Sequence, residues 1–175
     1  MKRIFRYLKQ LILNHYSSKI VIIFLLISPE IQAQKVVRNF SLPGSNNQYI
    51  ELKDIQGEHL TVLDFWTSWC KPCLNAIPEL IQLSEKYDSL GVVFIGVNAD
   101  SPRSVSKAMP LAKSLGINYP IVFDTSGDLT SELNIGVFPT IIIMNSERKI
   151  VFIHEGFTKN DGTILEEVIV NALKK

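Results

Sequence analysis

Cys70 and Cys73 are the only two cysteines of the 175-residue chain, and only Lys71 and Pro72 separate them. Two thiols at this spacing can share a disulfide and pass it on, provided one of them is a thiolate. A free cysteine is mostly protonated at neutral pH. The flanking pattern supplies a way round that. Leu60-Thr-Val-Leu-Asp-Phe-Trp66 is an apolar run that suits a buried strand, and Leu74, Ile77, Leu80 and Ile81 follow at helical spacing. The cysteines therefore open a helix, whose first turn has unpaired backbone N–H groups and the positive end of the helix dipole. Cys70 at that end is expected to ionise easily and attack. Cys73, one turn further in, is placed to resolve the mixed disulfide. Pro72 has no N–H and stiffens the turn, while Lys71 adds a positive charge.

Asp64 is the second residue of chemical interest, because a carboxyl inside Val62-Leu-Asp-Phe-Trp66 is costly to bury without a task. Strand alternation puts Asp64 and Trp66 on one face, Leu63 and Phe65 on the other. A desolvated carboxyl has a raised pKa and can accept the proton of the resolving thiol. The competing reading is a partly wet strand edge. Trp66 and Trp69 are read as packing that walls the cysteines and limits water access.

The elements that must position these groups alternate strand and helix, the pattern of an α/β layered fold. Residues 35–47 read as an extended lead-in and turn, and Tyr49–Leu52 as a short strand. The central strand covers 61–66 and the helix 70–87, with Pro78 inside it as a kinking residue. A buried strand is expected over 92–97, then a helix over 102–115 interrupted near Pro110 and closed by Gly116. A third strand falls at 120–123. Asp128 is expected to cap a short helix through Leu133. Strands over 140–144 and 149–153 form a hairpin, and Asp161 is expected to cap a last helix carrying Ile164, Leu165, Val168, Ile169 and Leu173 on one face.

The composition, 46% hydrophobic and 20% charged, suits one globular domain. The net charge of +1 hides an asymmetry: residues 1–33 hold five bases and one acid, the remainder 13 bases and 16 acids. A mildly acidic body without basic runs argues against a nucleic-acid surface, and there is no glycine-rich phosphate loop. In the leader a basic region precedes Ile20–Ile27, then Ser28-Pro29, then Ile31-Gln-Ala33. That is the order of an export signal. Cleavage after Ala33 is the preferred reading and an uncleaved anchor the alternative, giving a 1–33 leader and a 34–175 domain. No cysteine follows the apolar region, which excludes lipid attachment there.

The run Phe65-Trp-Thr-Ser-Trp-Cys-Lys-Pro-Cys73, with Pro78 five residues on, resembles the thioredoxin superfamily. The leader and the longer middle, roughly Asp100 to Tyr119, make the chain most similar to the TlpA/ResA-like exported thiol–disulfide reductases. Val137-Phe-Pro-Thr140 matches the superfamily loop whose proline is cis and faces the cysteines. The resemblance implies a thioredoxin-like fold: a central mixed sheet flanked by helices, with an N-terminal extension and a central insertion. It implies a redox-active Cys70–Cys73 disulfide and no cofactor. It also implies a substrate surface of Trp69, Lys71, Pro72, Phe138 and Pro139, with Phe138 offering main-chain hydrogen bonds. The implied partners are disulfide-containing proteins and a membrane or periplasmic thiol donor, met by a monomer in the periplasm or cell envelope. One departure matters. Many ResA-like proteins carry a glutamate three residues after the second cysteine, where this chain has Ala76, and Glu79 does not replace it. The proton path is therefore expected to run through Asp64, and a role in cytochrome c maturation is in doubt.

Two other activities compete. Thr67-Ser-Trp-Cys70 mimics the Thr-X-X-Cys of a thiol peroxidase, but Leu63 stands where that pattern needs proline. A copper-handling chaperone would use both thiolates, with His154 as a third ligand; His15 and His59 lie in the leader and at a turn. Lys71 does not decide the direction of electron flow. A charge near a helix end contributes ~1 kcal/mol, roughly 20 mV for a two-electron couple, against a span of ~150 mV among dithiol oxidoreductases.

Overall fold

Every residue of the central apolar run is buried, because both faces of the sheet around it are covered. The computed structural model describes residues 35–174; the leader and its cleavage site lie outside them. In chain order the elements are β1 (Ser41–Pro43), β2 (Tyr49–Glu51), α1 (Leu52–Ile55), β3 (Leu60–Trp66), α2 (Lys71–Tyr87), β4 (Val92–Asn98), α3 (Ala108–Leu115), β5 (Ile121–Phe123), α4 (Asp128–Glu132), β6 (Thr140–Asn145), β7 (Ile150–Glu155) and α5 (Asp161–Leu173). β1 and β2 form a small antiparallel pair. The main sheet has the order β5-β4-β3-β6-β7. β3, β4 and β5 run parallel, and β6 and β7 are antiparallel to their neighbours. It is the mixed, helix-flanked sheet of the thioredoxin-like fold. Parallel neighbours need a crossover; α2 joins β3 to β4.

The two sheet faces carry separate cores. On one, Val62, Phe94, Ile141 and Ile143 pack with Ala76, Leu80 and Leu83 of α2 and Leu165 and Ile169 of α5. On the other, Leu63, Phe65, Ile95, Val97 and Ile142 pack with Val37 and Phe40 of the lead-in, Leu52 of α1 and Leu129 of α4. The lead-in is thus part of the core, and it is pinned by hydrogen bonds from Val37 N to Arg148 O and from Ile150 N to Lys35 O, both 2.9 Å. The central insertion, 99–120, brings Ala108 and Ala112 of α3 against Trp66, Cys70, Cys73 and Ile77. Small residues there let α3 approach the cysteines closely.

Several local expectations need correction. Pro110 does not interrupt a helix begun at Pro102. A 3-10 turn at Val105–Lys107 precedes α3, and Pro110 falls in its first turn, where no N–H is required. Asp128 does not cap α4, whose N-cap is Gly127. Asp124 does that work: its carboxylate accepts from Leu129 N (3.2 Å), Thr130 N (2.8 Å) and Thr130 Oγ1 (2.6 Å). Asp161 is the first residue of α5 and not its cap, since its carboxylate turns back to Thr158 N and His154. The strand expected over Tyr49–Leu52 stops at Glu51 because Leu52 enters α1 and buries its side chain.

Candidate active site

The end of β3 and the start of α2 are joined by Thr67, Ser68 and Trp69. Their path is fixed from outside by Asp100. This fully buried carboxylate accepts from Ser68 N (2.8 Å), Ser68 Oγ (3.1 Å) and Asn98 Nδ2 (3.0 Å). Ala99 N also donates to Trp66 O at 2.9 Å. The loop is thereby tied to the end of β4, and Cys70 is delivered to the N-cap of α2.

Cys70 and Cys73 are joined as a disulfide, with Cα atoms 5.3 Å apart. Cys73 is fully buried and Cys70 nearly so. Cys73 N donates to Cys70 Sγ at 3.2 Å. An N–H aimed at a sulfur on a helix N-terminus is what stabilises a thiolate there once the bond is reduced. Lys71 and Pro72 occupy the first two helical positions and are exposed.

The two tryptophans differ. Trp66 is fully buried beside both cysteines, as expected of a wall. Trp69 is 68% exposed, so it does not shut out water; its ring meets the Phe138 ring edge-on at 6.1 Å. The Phe138–Pro139 peptide bond is cis, as the resemblance implied. Thr140 Oγ1 holds the loop through Val137 O (2.7 Å), and Pro139 O accepts from Gly156 N (2.8 Å). Pro139 is buried, while half-buried Phe138 packs against the cluster that contains the cysteines. Trp69 and Phe138 therefore make an apolar rim beside the disulfide.

Asp64 is 1% exposed. It shares a sheet face with Val62, which packs on Ala76 and Leu80, and with Trp66, which packs on both cysteines. Alternation thus places its carboxyl on the α2 side, between those two contacts. Burial pushes the carboxyl up to about 7, and a hydrogen bond from Tyr119 Oη to Oδ2 (3.4 Å) holds it lower than burial alone would. Among the described residues Oδ1 has no hydrogen-bond partner. The wet-edge reading of Asp64 does not hold. Ala76 is fully buried in the α2 core. His154 sits on β7 opposite Ile141, its Nε2 3.0 Å from Asp161 Oδ2 and turned to that carboxylate. Among the described residues no group of three His, Cys, Asp or Glu side chains could hold a metal ion.

Sequence reasoning missed Asp100 and Tyr119. For Asp100, an acid directly following a buried strand was a usable signal. Tyr119 touches Asp64 across 55 positions, and nothing local announced it.

A thioredoxin fold with a buried Cys-X-X-Cys pair at a helix N-terminus, facing a cis-proline loop, defines the class of protein. Residues 33–153 match the model of the AhpC/TSA family, and the chain belongs to that family. It is similar to the thiol-disulfide oxidoreductase ResA of Bacillus subtilis, with 34% identity over 119 residues, 67% of this chain and 64% of that protein. The match thus spans just under two thirds of that relative's length. The thiol-disulfide oxidoreductase ResA of Bacillus cereus is 30% identical over 122 residues, 70% of this chain and 69% of that one. Among solved structures, a Chlorobium tepidum protein assigned as a thiol:disulfide interchange protein DsbE superposes with a TM-score of 0.73. It is 29% identical, and the match covers 80% of this chain and 96% of the other.

Proposed function

We propose that this chain is a thiol–disulfide oxidoreductase that reduces disulfides in exported proteins. The observation that carries the reading is the Cys70 sulfur at the N-cap of α2, accepting the Cys73 N–H beside an apolar rim. In the dithiol form the Cys70 thiolate attacks one sulfur of a substrate disulfide, forming a mixed disulfide and releasing the other substrate sulfur as a thiolate. Cys73 then gives its proton to Asp64 and attacks Cys70 Sγ. The second substrate thiolate leaves, and the Cys70–Cys73 disulfide forms. Two electrons have passed to the substrate, and a thiol donor must return them. Trp69 and Phe138 supply apolar contact, Lys71 and Pro72 border the attacked sulfur, and Pro139 fixes the opposing loop. The names of the relatives support disulfide-containing substrates. The basic, apolar, small-residue order of the leader supports export, and an extracytosolic dithiol then needs a dedicated donor to stay reduced. Among the described residues no helix is long and apolar enough to cross a membrane.

The test is trapping in cells. Cys73→Ser should accumulate a mixed disulfide that a reductant dissolves; Cys70→Ser should not, because the attacking sulfur is gone. If neither variant traps a partner and the wild type reduces no disulfide-bonded test protein, the reading fails. Peroxide consumption without disulfide turnover would favour the peroxidase instead. Mass spectrometry of the exported form decides whether the chain begins after Ala33.

A further inference from the structure

Gly96 lies directly opposite Asp64 in the parallel β3–β4 register. A Cβ at position 96 would stand 3.2 Å from Trp66 Nε1 and 3.4 Å from both Ile121 Cγ1 and Tyr119 Cε2. The space that a side chain there would take is thus occupied by Trp66 and Tyr119. Tyr119 is buried at the end of the central insertion, its ring 6.1 Å from that of Phe94. The next residue anchors it to β4, for Pro120 O accepts from Gly96 N at 2.8 Å. Its hydroxyl reaches Asp64 Oδ2 at 3.4 Å.

We infer that Tyr119 is a positioning residue for proton transfer at Asp64, and that Gly96 is the opening that lets its ring reach the carboxyl. The inference rests on the proton-transfer role proposed for Asp64. Apart from the two cysteines, which titrate once reduced, the groups packed around the carboxyl carry no charge. β4 offers Gly96, β6 offers Ile141, and α2 offers Ala76 and the cysteines. His154, in the same row beyond Ile141, faces Asp161. Burial, with Asp64 beside it, raises the Tyr119 hydroxyl well above its ordinary range, so it stays a neutral donor. A neutral donor favours the carboxylate, the form that accepts the Cys73 proton, without fixing it so firmly that the proton cannot return.

Tyr119→Phe keeps the ring and removes the donor. Release of a fluorescent disulfide peptide from its mixed disulfide with Cys70 should then slow about fivefold at pH 7, with KM unchanged. The midpoint of the pH profile should move alkaline, and the two proteins should converge above about pH 9, where Asp64 is ionised in both. The Asp64 carboxyl 13C resonance should titrate higher in the variant. Gly96→Ala, which crowds the same ring, should move the midpoint in the same direction. If Asp64→Asn flattens the profile while Tyr119→Phe leaves the midpoint and the 13C titration unmoved, the role of Tyr119 is overturned and that of Asp64 stands. If Asp64→Asn leaves the profile unchanged, both fall.

Discussion

At the scale of single residues, the site turns on one carboxyl being buried without a counter-charge. Asp64 titrates near 7 because burial penalises its ionised form, and its ordinary value is 3.8. Between those pH values the folded protein holds a proton that the unfolded chain has released. Stability must therefore fall as pH rises from about 4 to about 7, by ~4 kcal/mol for a shift of this size. Asp64→Asn cannot ionise and should lose this slope. Denaturant titrations of the disulfide form at pH 4, 6 and 8 should find the variant gaining on the wild type as pH rises. The same substitution should slow release from the mixed disulfide at neutral pH, because Cys73 loses its proton acceptor.

At the scale of elements, short polar side chains decide where helices begin. The loop ahead of α2 is held by Asp100, and α4 is opened by Asp124 reaching five and six residues ahead. Asp124→Ala should cost about 1–2 kcal/mol in chemical denaturation, the usual worth of an N-terminal cap. Asp128→Ala, an exposed position that among the described residues is bonded only to Ser126, should stay within about 0.5 kcal/mol. Equal losses would mean that the dipole contribution of Asp128 had been underestimated. These positions also explain why the helix caps were misassigned from the sequence while the main-sheet strands shifted by only a residue or two. Two acids, Asp124 and Asp128, lie near the start of α4, and which one turns toward the free N–H groups depends on the fold of the preceding loop.

At the scale of the whole molecule, the sheet separates a structural face from a chemical one. Leu63 and Phe65 face the lead-in and α4, whereas Asp64 and Trp66 face α2, so one strand both anchors the core and carries the buried carboxyl. Under the proposed function, the rim of Trp69 and Phe138 is where a protein substrate would lie. Trp69→Ala should raise KM for a disulfide-bonded protein several-fold, while changing stability by less than about 1 kcal/mol, since the ring is 68% exposed. Steady-state kinetics and thermal denaturation together check this. By itself the sequence determined the dithiol, its place at a strand–helix junction and the facing of Asp64, because these follow from local spacing and the two-residue period of a strand. It also marked Phe138-Pro139 by resemblance. Only the tertiary structure decided that Trp69 is exposed and Trp66 enclosed, that Asp100 holds the loop, and that Tyr119 reaches Asp64 across the bare backbone of Gly96. Those contacts join residues 32 and 55 positions apart, and no local periodicity encodes which side chain fills the space beside a distant glycine.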